Sequence, residues 1–241
     1  MKILITMAGK ASRFRSIGIS KPKHEIVTRG RPMFEWAMES LRAFFDYPFV
    51  FVTQERHNPT EFLEESCERL GITEYEQVML TEYTDGQAST AVTADGLLDD
   101  DDSVAIYNID TYIEPGHLTM DILSKDGTIP TFQASGDRWS FVRTDGGDRV
   151  VEVSEKQKIS NHATAGFYHF DRWGDFIYAY QKYAGEVETE YGETYVAPHY
   201  NYLIEQEKDV FKHDLNQSAI HVLGTPEDLR EFDDEFDPEA Q

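Results

Sequence analysis

The chain has 241 residues, of which 40% are hydrophobic and 13% are aromatic. This length supports one α/β domain with a buried core and is too short for two full domains. Its 22 Lys and Arg residues stand against 45 Asp and Glu residues, and the formal net charge of −23 argues against nucleic acid or an anionic membrane as a partner. An acidic surface suits a salt-rich cytoplasm, where screening weakens self-repulsion, so a halophilic source is one expectation.

Cysteine usage and hydropathy favour a cytoplasmic protein. Cys67 is the one cysteine in the sequence, so no intrachain disulfide can form, and we expect it to be structural. No apolar run reaches the roughly 18 residues of a membrane span. The apolar start Met1–Met7 is short and is followed at once by Gly9 and charged residues, so we interpret it as a buried strand.

Apolar, β-rich segments alternate with helical patterns in the first half of the chain. The predicted strands cover residues 3–7, 49–53, 77–80 and 104–109, and the predicted helices cover residues 32–45, 59–70 and 86–98. Pro32 suits a first helical turn, and Gly71 suits a helix C-cap. This alternation predicts a parallel sheet covered by helices, with right-handed crossovers.

The second half of the chain is predicted to be mostly antiparallel. Strands at 128–134, 139–144, 150–154 and 162–170 follow one another without helices, and a hairpin turn is predicted at 145–148. Helices are predicted at 172–183, at 197–207 and from Pro226, with a strand at 219–223. We expect one domain over residues 1–232, with a cleft where the two halves meet, and an acidic, frayed tail over residues 233–241.

The loop after the first strand carries the pattern Ala8-Gly9-Lys10-Ala11-Ser12-Arg13-Phe14. Backbone N–H groups in a glycine-containing loop can face an anion, so the segment is a candidate phosphate cradle. It lacks the glycine spacing of a P-loop and of a dinucleotide fingerprint, so an ordinary turn is the alternative.

A second candidate is Lys23, in the segment Ser20-Lys21-Pro22-Lys23-His24. Pro22 restricts the backbone and can fix the direction of Lys23, although a solvated loop lysine is the alternative. The first 23 residues also concentrate the scarce cations of this acidic chain: Lys10, Arg13, Arg15, Lys21 and Lys23. A site for phosphates needs such a local concentration.

These two segments, followed by Gly30-Arg31-Pro32-Met33-Phe34-Glu35-Trp36, resemble the opening of the sugar-phosphate nucleotidyltransferases, roughly A-G-x-G-S-R-F, then P-K, then G-x-P-M. The resemblance implies that Arg13 holds a triphosphate and that Lys23 neutralises charge at the reacting phosphates. It also implies nucleotide contacts from Ala8, Gly9 and Ser12. One residue departs from the pattern, because Ala11 stands where the family usually has a second glycine.

Asp110 directly follows the predicted strand 104–109. A carboxylate at the end of a buried strand is a good Mg²⁺ ligand, because Mg²⁺ prefers a few hard oxygens and shares its other positions with phosphates. Capping of the next turn is the alternative. In the family this strand ends in the metal-binding Asp, so the resemblance assigns Mg²⁺ to Asp110. Thr111 and Tyr112 follow, so no D-x-D is present, which counts against a glycosyltransferase on the related fold.

Two glycines are candidates for close approach to a ligand. Asp85–Ala91 resembles the family's loop beside the base and sugar, where Gly86 permits close approach and Gln87 can hydrogen-bond a base edge. The segment suits a plain helix start equally well. Asn161–Tyr168 resembles the family's A-x-x-G-x-Y strand, in which Gly166 lets the sugar lie against the backbone.

Val151-Glu152-Val153-Ser154-Glu155-Lys156 resembles the family's V-x-E-K-P signature. The resemblance implies that Glu155 contacts sugar hydroxyls and that Lys156 contacts the sugar phosphate. From its residues alone the segment is an ordinary strand edge. Gln157 replaces the usual proline, which leaves the shape of the loop open.

The second protein ligand of the metal is left open by the sequence. Many relatives carry a second metal-binding Asp near residues 195–201, but none is present here. His199 or Asn201 can replace it, or Asp110 alone can hold the metal, although a structural role is more common for such a histidine. Gly224–Leu229 matches the family's closing G-T-P-x-D-L element, which we expect to cap a helix.

The resemblance spans nearly the whole chain and implies both fold and reaction. The expected fold is α/β, a Rossmann-like nucleotide-diphospho-sugar transferase (GT-A-like) fold with a mixed, mostly parallel sheet flanked by helices and an antiparallel sugar-binding part. The expected enzyme is a Mg²⁺-dependent nucleotidyltransferase. It couples a nucleoside triphosphate to a sugar 1-phosphate, releases pyrophosphate, and serves surface polysaccharide or glycan synthesis.

Three other functions stay open at this point. They are a GT-A-type glycosyltransferase, a cytidylyltransferase acting on a non-sugar phosphate such as phosphocholine, and a non-catalytic nucleotide-sugar-binding protein. The sequence also leaves open the base, the sugar and the oligomeric state, a homo-oligomer included.

Overall fold

A ten-stranded sheet forms the centre of the protein, whose computed structural model describes residues 1–241. The strands are β1 (Lys2–Thr6), β2 (Val27–Thr28), β3 (Arg31–Pro32), β4 (Phe49–Gln54), β5 (Tyr75–Leu80), β6 (Val104–Asn108), β7 (Thr111–Ile113), β8 (Gly127–Gln133), β9 (Ser140–Thr144), β10 (Val150–Glu155), β11 (His162–Thr164), β12 (Phe167–Phe170), β13 (Val210–Asp214) and β14 (Ile220–Val222). The α-helices are α1 (Ser12–Arg15), α2 (Met33–Glu39), α3 (Pro59–Leu70), α4 (Gln87–Val92), α5 (Trp173–Tyr191), α6 (Tyr200–Glu205) and α7 (Pro226–Phe232). No helix is both long and apolar enough to span a membrane.

The sheet joins a parallel half to an antiparallel half without a break. Its order is β10-β9-β11-β8-β12-β6-β1-β4-β5, with β13 paired to β8. The strands β6, β1, β4 and β5 run parallel to one another, while β12 runs antiparallel to β6 and begins the second half. The predicted α/β fold with a mixed sheet is confirmed. The two halves meet at the β6–β12 boundary, where the strand direction reverses.

Helices cover both faces of the sheet because successive residues of each strand point to opposite sides. Ile3 of β1 points to one face, where it packs in a core with Phe34 of α2 and Leu63 of α3. Leu4 points to the other face and belongs to a second core that includes Phe176 of α5. Each strand in the centre of the sheet is therefore buried on both sides, which explains its nearly continuous apolar sequence.

The helix α3 matches its prediction residue for residue. It begins at Pro59 and ends at Leu70, and Gly71 closes it in the left-handed conformation with φ of 81°. Cys67 lies on its buried face, and burial raises the pKa of this thiol to about 12. The thiol is thus protonated at neutral pH, in keeping with a structural role.

Three other helices differ from their predicted lengths. α2 ends at Glu39 and α4 ends at Val92, and a short 3₁₀ turn follows each of them. The hydroxyl of Thr93 donates to the carbonyl of Thr90, at 2.6 Å, and such local bonds compete with helix extension. α5 continues to Tyr191, well past residue 183, and Val187 in its last turns is buried.

The strand predictions miss the short strands β2, β3 and β7, and they fail at two further places. The predicted strand 162–170 is divided into β11 and β12 by Gly166, whose φ of 79° is incompatible with a regular strand. The strand β13 was not predicted, because Lys212 at its centre does not look like a buried residue. Lys212 is nevertheless only 7% exposed, and its charge is paired with Asp148 and Asp214.

A third, smaller core supports the segments that follow β1. It brings together Phe14 of α1, Met33 of α2, and Leu223 and Leu229 around α7. Residues distant in the sequence are therefore fixed beneath the same loops.

The acidic tail 233–241 lies against the segment 27–30. Asp233 accepts hydrogen bonds from the hydroxyl of Thr28 and the backbone N–H of Arg29, and Phe236 is buried in the third core. The side chain of Gln241 bonds both backbone groups of Val27. The expected fraying of this tail stays a prediction, and it would have to break these contacts.

Candidate active site

The ends of two neighbouring parallel strands define the candidate site. In the register of β1 and β6, Thr6 lies beside Asn108. The loop 7–11 leaves the sheet directly after Thr6, and Asp110 follows Asn108 by two residues. The first loop and the strand-end carboxylate therefore emerge side by side at the carboxyl edge of the sheet, where open α/β sheets bind their ligands.

Lys23 and Asp110 meet at this edge. The ammonium of Lys23 donates to Oδ2 of Asp110 at 2.7 Å, and their side chains are 20% and 34% exposed. Pro22 holds an extended conformation (φ −56°, ψ 144°) and starts the short 3₁₀ turn that carries Lys23. The ammonium also lies 5.9 Å from the ring centroid of Phe14. Lys23 is thus a fixed, half-buried cation rather than a solvated loop lysine.

The first loop presents free backbone and an uncommitted cation. Ala8 is buried at the start of the loop, whereas Gly9 and Ser12 are exposed. A Cβ at Gly9 would meet no atom within 4 Å, so open space lies above it. Arg13 is exposed, and its guanidinium makes no hydrogen bond or ion pair within the protein. The loop therefore leaves a positive group available to a ligand.

Ala11 takes the conformation that its position requires despite having a side chain. Its φ of 52° and ψ of 36° lie in the left-handed region, just before α1 begins. A glycine adopts this region without strain, and the family's usual glycine at this position is explained in this way. The departure at Ala11 is accommodated by strain in the backbone rather than by a different loop.

Arg56 is a cation that the sequence analysis did not select. Its guanidinium lies 4.4 Å from the ring centroid of Tyr83, and the ammonium of Lys10 lies 5.5 Å from the same centroid. Arg56 follows β4 by two residues, so the strand-end argument applied to Asp110 also points to it. Tyr83 thus gathers one cation from the first loop and one from the end of β4.

Gly86 and Gln87 lie beside β1, but Gly86 is explained by packing. A Cβ at Gly86 would come within 2.5 Å of the backbone nitrogen of Thr194, so only glycine fits here. Gln87 opens α4, and its amide donates to the hydroxyl of Thr6 at 3.2 Å. Both residues are therefore near the end of β1, and their contact with a base stays a prediction.

Glu155 and Lys156 lie at the end of β10. Glu155 is only 4% exposed, it accepts a hydrogen bond from Ser140, and burial raises its pKa. Lys156 donates to the hydroxyl of Tyr195 and lies 4.6 Å from the centroid of that ring. Burial lowers the pKa of Lys156, but the bond to Tyr195 and nearby acids leave that pKa raised overall. The ammonium therefore stays charged at neutral pH.

Tyr168 of β12 is a buried phenol. Burial raises its pKa to about 12, and the negative charges of Glu155 and Asp110 both contribute to the increase. The hydroxyl of Tyr168 lies 2.9 Å from the hydroxyl of Thr164, so this phenol is satisfied within the core.

Gly166 lies against Asn108 rather than against open space. A Cβ there would come within 2.6 Å of Nδ2 of Asn108. The other amide atom, Oδ1 of Asn108, is buried and has no hydrogen-bond partner. The requirement for glycine at 166 therefore has a packing explanation, and its contact with a sugar stays a prediction.

His199 and Asn201 both have structural roles. His199 is fully buried, its Nδ1 lies 2.8 Å from the carbonyl of Tyr195, and burial lowers its pKa to about 4. The amide of Asn201 accepts from the backbone N–H of Val153 and donates to its carbonyl. Neither side chain is hydrogen-bonded to Asp110, and a metal role for His199 or Asn201 stays a prediction. The expected helix cap is present, since Thr225 accepts from the N–H of Asp228 at the start of α7.

No protein-family model matches the sequence, and no curated protein does. Among solved structures, a nucleoside-diphosphate-sugar pyrophosphorylase from Vibrio cholerae RC9 shares 32% sequence identity and a TM-score of 0.87, with 95% of this chain and 98% of that chain covered. A Bacillus anthracis protein assigned as a glucose-1-phosphate thymidylyltransferase, in complex with a sucrose, has 16% identity and a TM-score of 0.77 over 96% of this chain and 93% of that one. The inositol-1-phosphate CTP transferase of T. maritima has 15% identity and a TM-score of 0.73 over 94% and 90%.

Proposed function

The chain belongs to the nucleoside-diphosphate-sugar pyrophosphorylases, a family of sugar-phosphate nucleotidyltransferases, and from this premise we propose its reaction. A nucleoside triphosphate and a sugar 1-phosphate react to give a nucleotide sugar and pyrophosphate, and the product serves surface polysaccharide or glycan synthesis. The observation that carries the proposal is the Lys23–Asp110 ion pair, at 2.7 Å, beside the loop that follows β1.

The reaction forms one P–O bond and breaks another. A phosphate oxygen of the sugar 1-phosphate attacks the α-phosphorus of the nucleotide, and the bond from that phosphorus to the bridging oxygen breaks in line. Pyrophosphate takes the electron pair and leaves. The protein contributes positioning and neutralisation of charge, as in other phosphoryl-type transfers.

The first loop is proposed to bind the triphosphate. Arg13 is exposed and unpaired, and the backbone at Ala8, Gly9 and Ser12 lies beside the open space. In a chain with a net charge of −23, a guanidinium without an acidic partner is one of few groups that can attract an anionic ligand. Arg13 is therefore assigned to the β- and γ-phosphates, which become the leaving pyrophosphate.

Asp110 fits the role of a Mg²⁺ ligand. Its carboxylate is one-third exposed and already carries a cation, the ammonium of Lys23, as a stand-in. No group of three or more His, Cys, Asp or Glu residues can hold a metal by itself, so a Mg²⁺ here would draw its other ligands from phosphate and water. A bound Mg²⁺ would supply neutralisation of the phosphate charge, and Lys23 would then turn its ammonium to the reacting phosphate.

The end of β10 is proposed to bind the sugar phosphate. Lys156 provides an exposed ammonium held by Tyr195, and Glu155 provides a buried carboxyl group that can orient sugar hydroxyls. Gly166, which lies between β11 and β12, is also assigned to the sugar. The nucleotide and the sugar phosphate are thus assigned to opposite sides of the β6–β12 boundary, with Gln87 and Gly86 nearest the base.

Pyrophosphate release tests the proposal directly. Each nucleoside triphosphate would be incubated with Mg²⁺ and a panel of sugar 1-phosphates, with phosphocholine and inositol 1-phosphate as non-sugar acceptors. We expect release with at least one sugar 1-phosphate. Release with phosphocholine alone would redirect the assignment to a non-sugar cytidylyltransferase. If none of the acceptors gave pyrophosphate release, a binding protein would be favoured.

A further inference from the structure

We propose that Asp228 is the second protein carboxylate of the divalent-cation site, opposite Asp110, and that Gly224 keeps the space between them open. The inference rests on the proposed function, which requires a divalent cation beside Asp110. It concerns a residue that the sequence analysis treated only as part of a helix cap, 118 positions after Asp110 in a 241-residue chain.

Both carboxylates lie next to Gly224. The position of a Cβ on Gly224 lies 3.5 Å from Oδ2 of Asp110 and 3.6 Å from Oδ2 of Asp228. The two oxygens are therefore separated by at most the sum of these distances. Each is in van der Waals contact with the same point beside the backbone. The backbone fixes this arrangement, because the N–H of Leu223 donates to the carbonyl of Asp110 at 2.8 Å.

Neither backbone conformation nor packing requires a glycine at 224. Gly224 is not among the residues with positive φ, and contacts of 3.5 and 3.6 Å are ordinary van der Waals distances. A methyl group would fit there, and it would contact both carboxylate oxygens. The missing side chain therefore leaves room for a ligand rather than relieving strain.

The order of charges around Gly224 favours a cation in this space. Oδ2 of Asp110, the oxygen next to Gly224, already holds the ammonium of Lys23 at 2.7 Å, and Oδ1 of Asp228 is paired with Arg138 at 3.0 Å. Two negative groups thus lie close to each other, each with one positive partner. Like charges at this range repel, and a divalent cation between them is attracted by both.

Asp228 is a prepared ligand rather than a mobile surface acid. It is only 5% exposed, and Thr225 donates its hydroxyl to Oδ2 at 2.8 Å. A carboxylate has about four lone-pair sites, so these two partners leave acceptor capacity for a cation or a cation-bound water. Its place in the first turn of α7 also stabilises its negative charge.

Binding of Mn²⁺, followed by electron paramagnetic resonance, tests the inference without turnover. The titration would use Mn²⁺ alone and Mn²⁺ with inorganic pyrophosphate, a product that does not depend on the base. Asp228→Asn keeps the shape and a cap acceptor but loses the charge, and we expect Mn²⁺ affinity to fall by at least about 10-fold. Gly224→Ala should fold normally and give a similar loss, and Asp228→Glu should restore part of the affinity.

Three variants separate a ligand from a structural residue. Glu35→Gln removes a carboxylate that is also 5% exposed and paired with arginine, but distant from the site, and should leave Mn²⁺ affinity unchanged. Gly185→Ala adds a methyl group where no atom lies within 4 Å, and should also leave it unchanged. Arg138→Gln removes a cation that competes with Mn²⁺ for Asp228, so it should not weaken Mn²⁺ binding. If the role of Asp228 were limited to holding Arg138, Asp228→Asn and Arg138→Gln would have equal effects on turnover.

The inference is overturned if Asp228→Asn binds Mn²⁺ as the wild type does, or if the wild type binds none with pyrophosphate present. Failure of the proposed function has a different signature, namely no pyrophosphate release from the wild type with any acceptor. The two failures are therefore distinguishable in one set of proteins.

Discussion

The ammonium of Lys23 and the carboxylate of Asp110 form an ion pair between residues 87 positions apart. The pair is possible because β1 and β6 are neighbours, and the segment after β1 returns over the end of β6. The third hydrophobic core, with Phe14 and Leu223, supports both partners from below. The two side chains, which the proposed reaction assigns to the phosphates and to Mg²⁺, thus lie together before any substrate binds.

Loss of the Lys23 ammonium should slow the chemical step more than it weakens binding. Lys23→Ala is expected to lower kcat by about 10²–10³, the effect of removing one preorganised charge contact. Steady-state kinetics of pyrophosphate release measure this change. Lys21→Ala is the matched control, because Lys21 lies in the same loop and forms no ion pair. A near-normal kcat for Lys23→Ala would remove Lys23 from the mechanism.

The sequence predicted the elements whose positions follow from a local rule. Parallel strands end at a common edge, so Asp110 and the first loop were expected to lie together, and they do. Side-chain pairings between distant segments follow no such rule. The Arg138–Asp228 pair and the packing of Asn108 on Gly166 depend on the bends of loops in three dimensions, and no spacing in the sequence indicates them.

The packing of Gly166 on Asn108 predicts a large cost for any side chain at 166. Gly166→Ala combines a positive φ of 79° with a Cβ 2.6 Å from the Asn108 amide, and we expect a loss of about 2–4 kcal/mol in the free energy of unfolding. Gly18→Ala has a φ of 92° but open space around it, so it should cost only the backbone strain, about 1–2 kcal/mol.

Urea denaturation would measure both values, and a second substitution would separate the clash from the strain. Asn108→Ala in the Gly166→Ala background should recover part of the lost stability, because it removes the atoms that the new methyl group meets. Equal costs for Gly166→Ala and Gly18→Ala would show that the contact with Asn108 is unimportant.

Lys156 should matter for the sugar phosphate and not for the nucleotide. Lys156→Ala removes a charge-assisted contact worth about 1.5–3 kcal/mol, so the KM for sugar 1-phosphate should rise by roughly 10- to 100-fold. The KM for the nucleoside triphosphate should change little. Lys158→Ala, two residues further along the same exposed loop, is the control. An equal rise in both KM values would contradict the assignment of the nucleotide and the sugar phosphate to opposite sides of the β6–β12 boundary.

The two most deeply buried histidines with shifted pKa values predict that stability falls in acid. Burial lowers the pKa of His199 and of His169 to about 4, below the ordinary value of about 6.5. The unfolded chain therefore binds more protons than the folded chain between these pH values. The contribution of the two neutral histidines to the free energy of unfolding is fully present above about pH 6.5. It declines as the pH falls towards about 4, by roughly 3 kcal/mol for each histidine.

A variant of one histidine should remove its share of this dependence. His199→Gln cannot take up a proton, so the unfolding free energy of this variant should decline less steeply from pH 6.5 to 4 than that of the wild type. Urea denaturation at a series of pH values gives the slope, which does not depend on any constant loss from the missing hydrogen bond to Tyr195. If His199→Gln keeps the wild-type slope, protonation of another group controls the acid transition, because a histidine forced to stay neutral by burial must contribute to it.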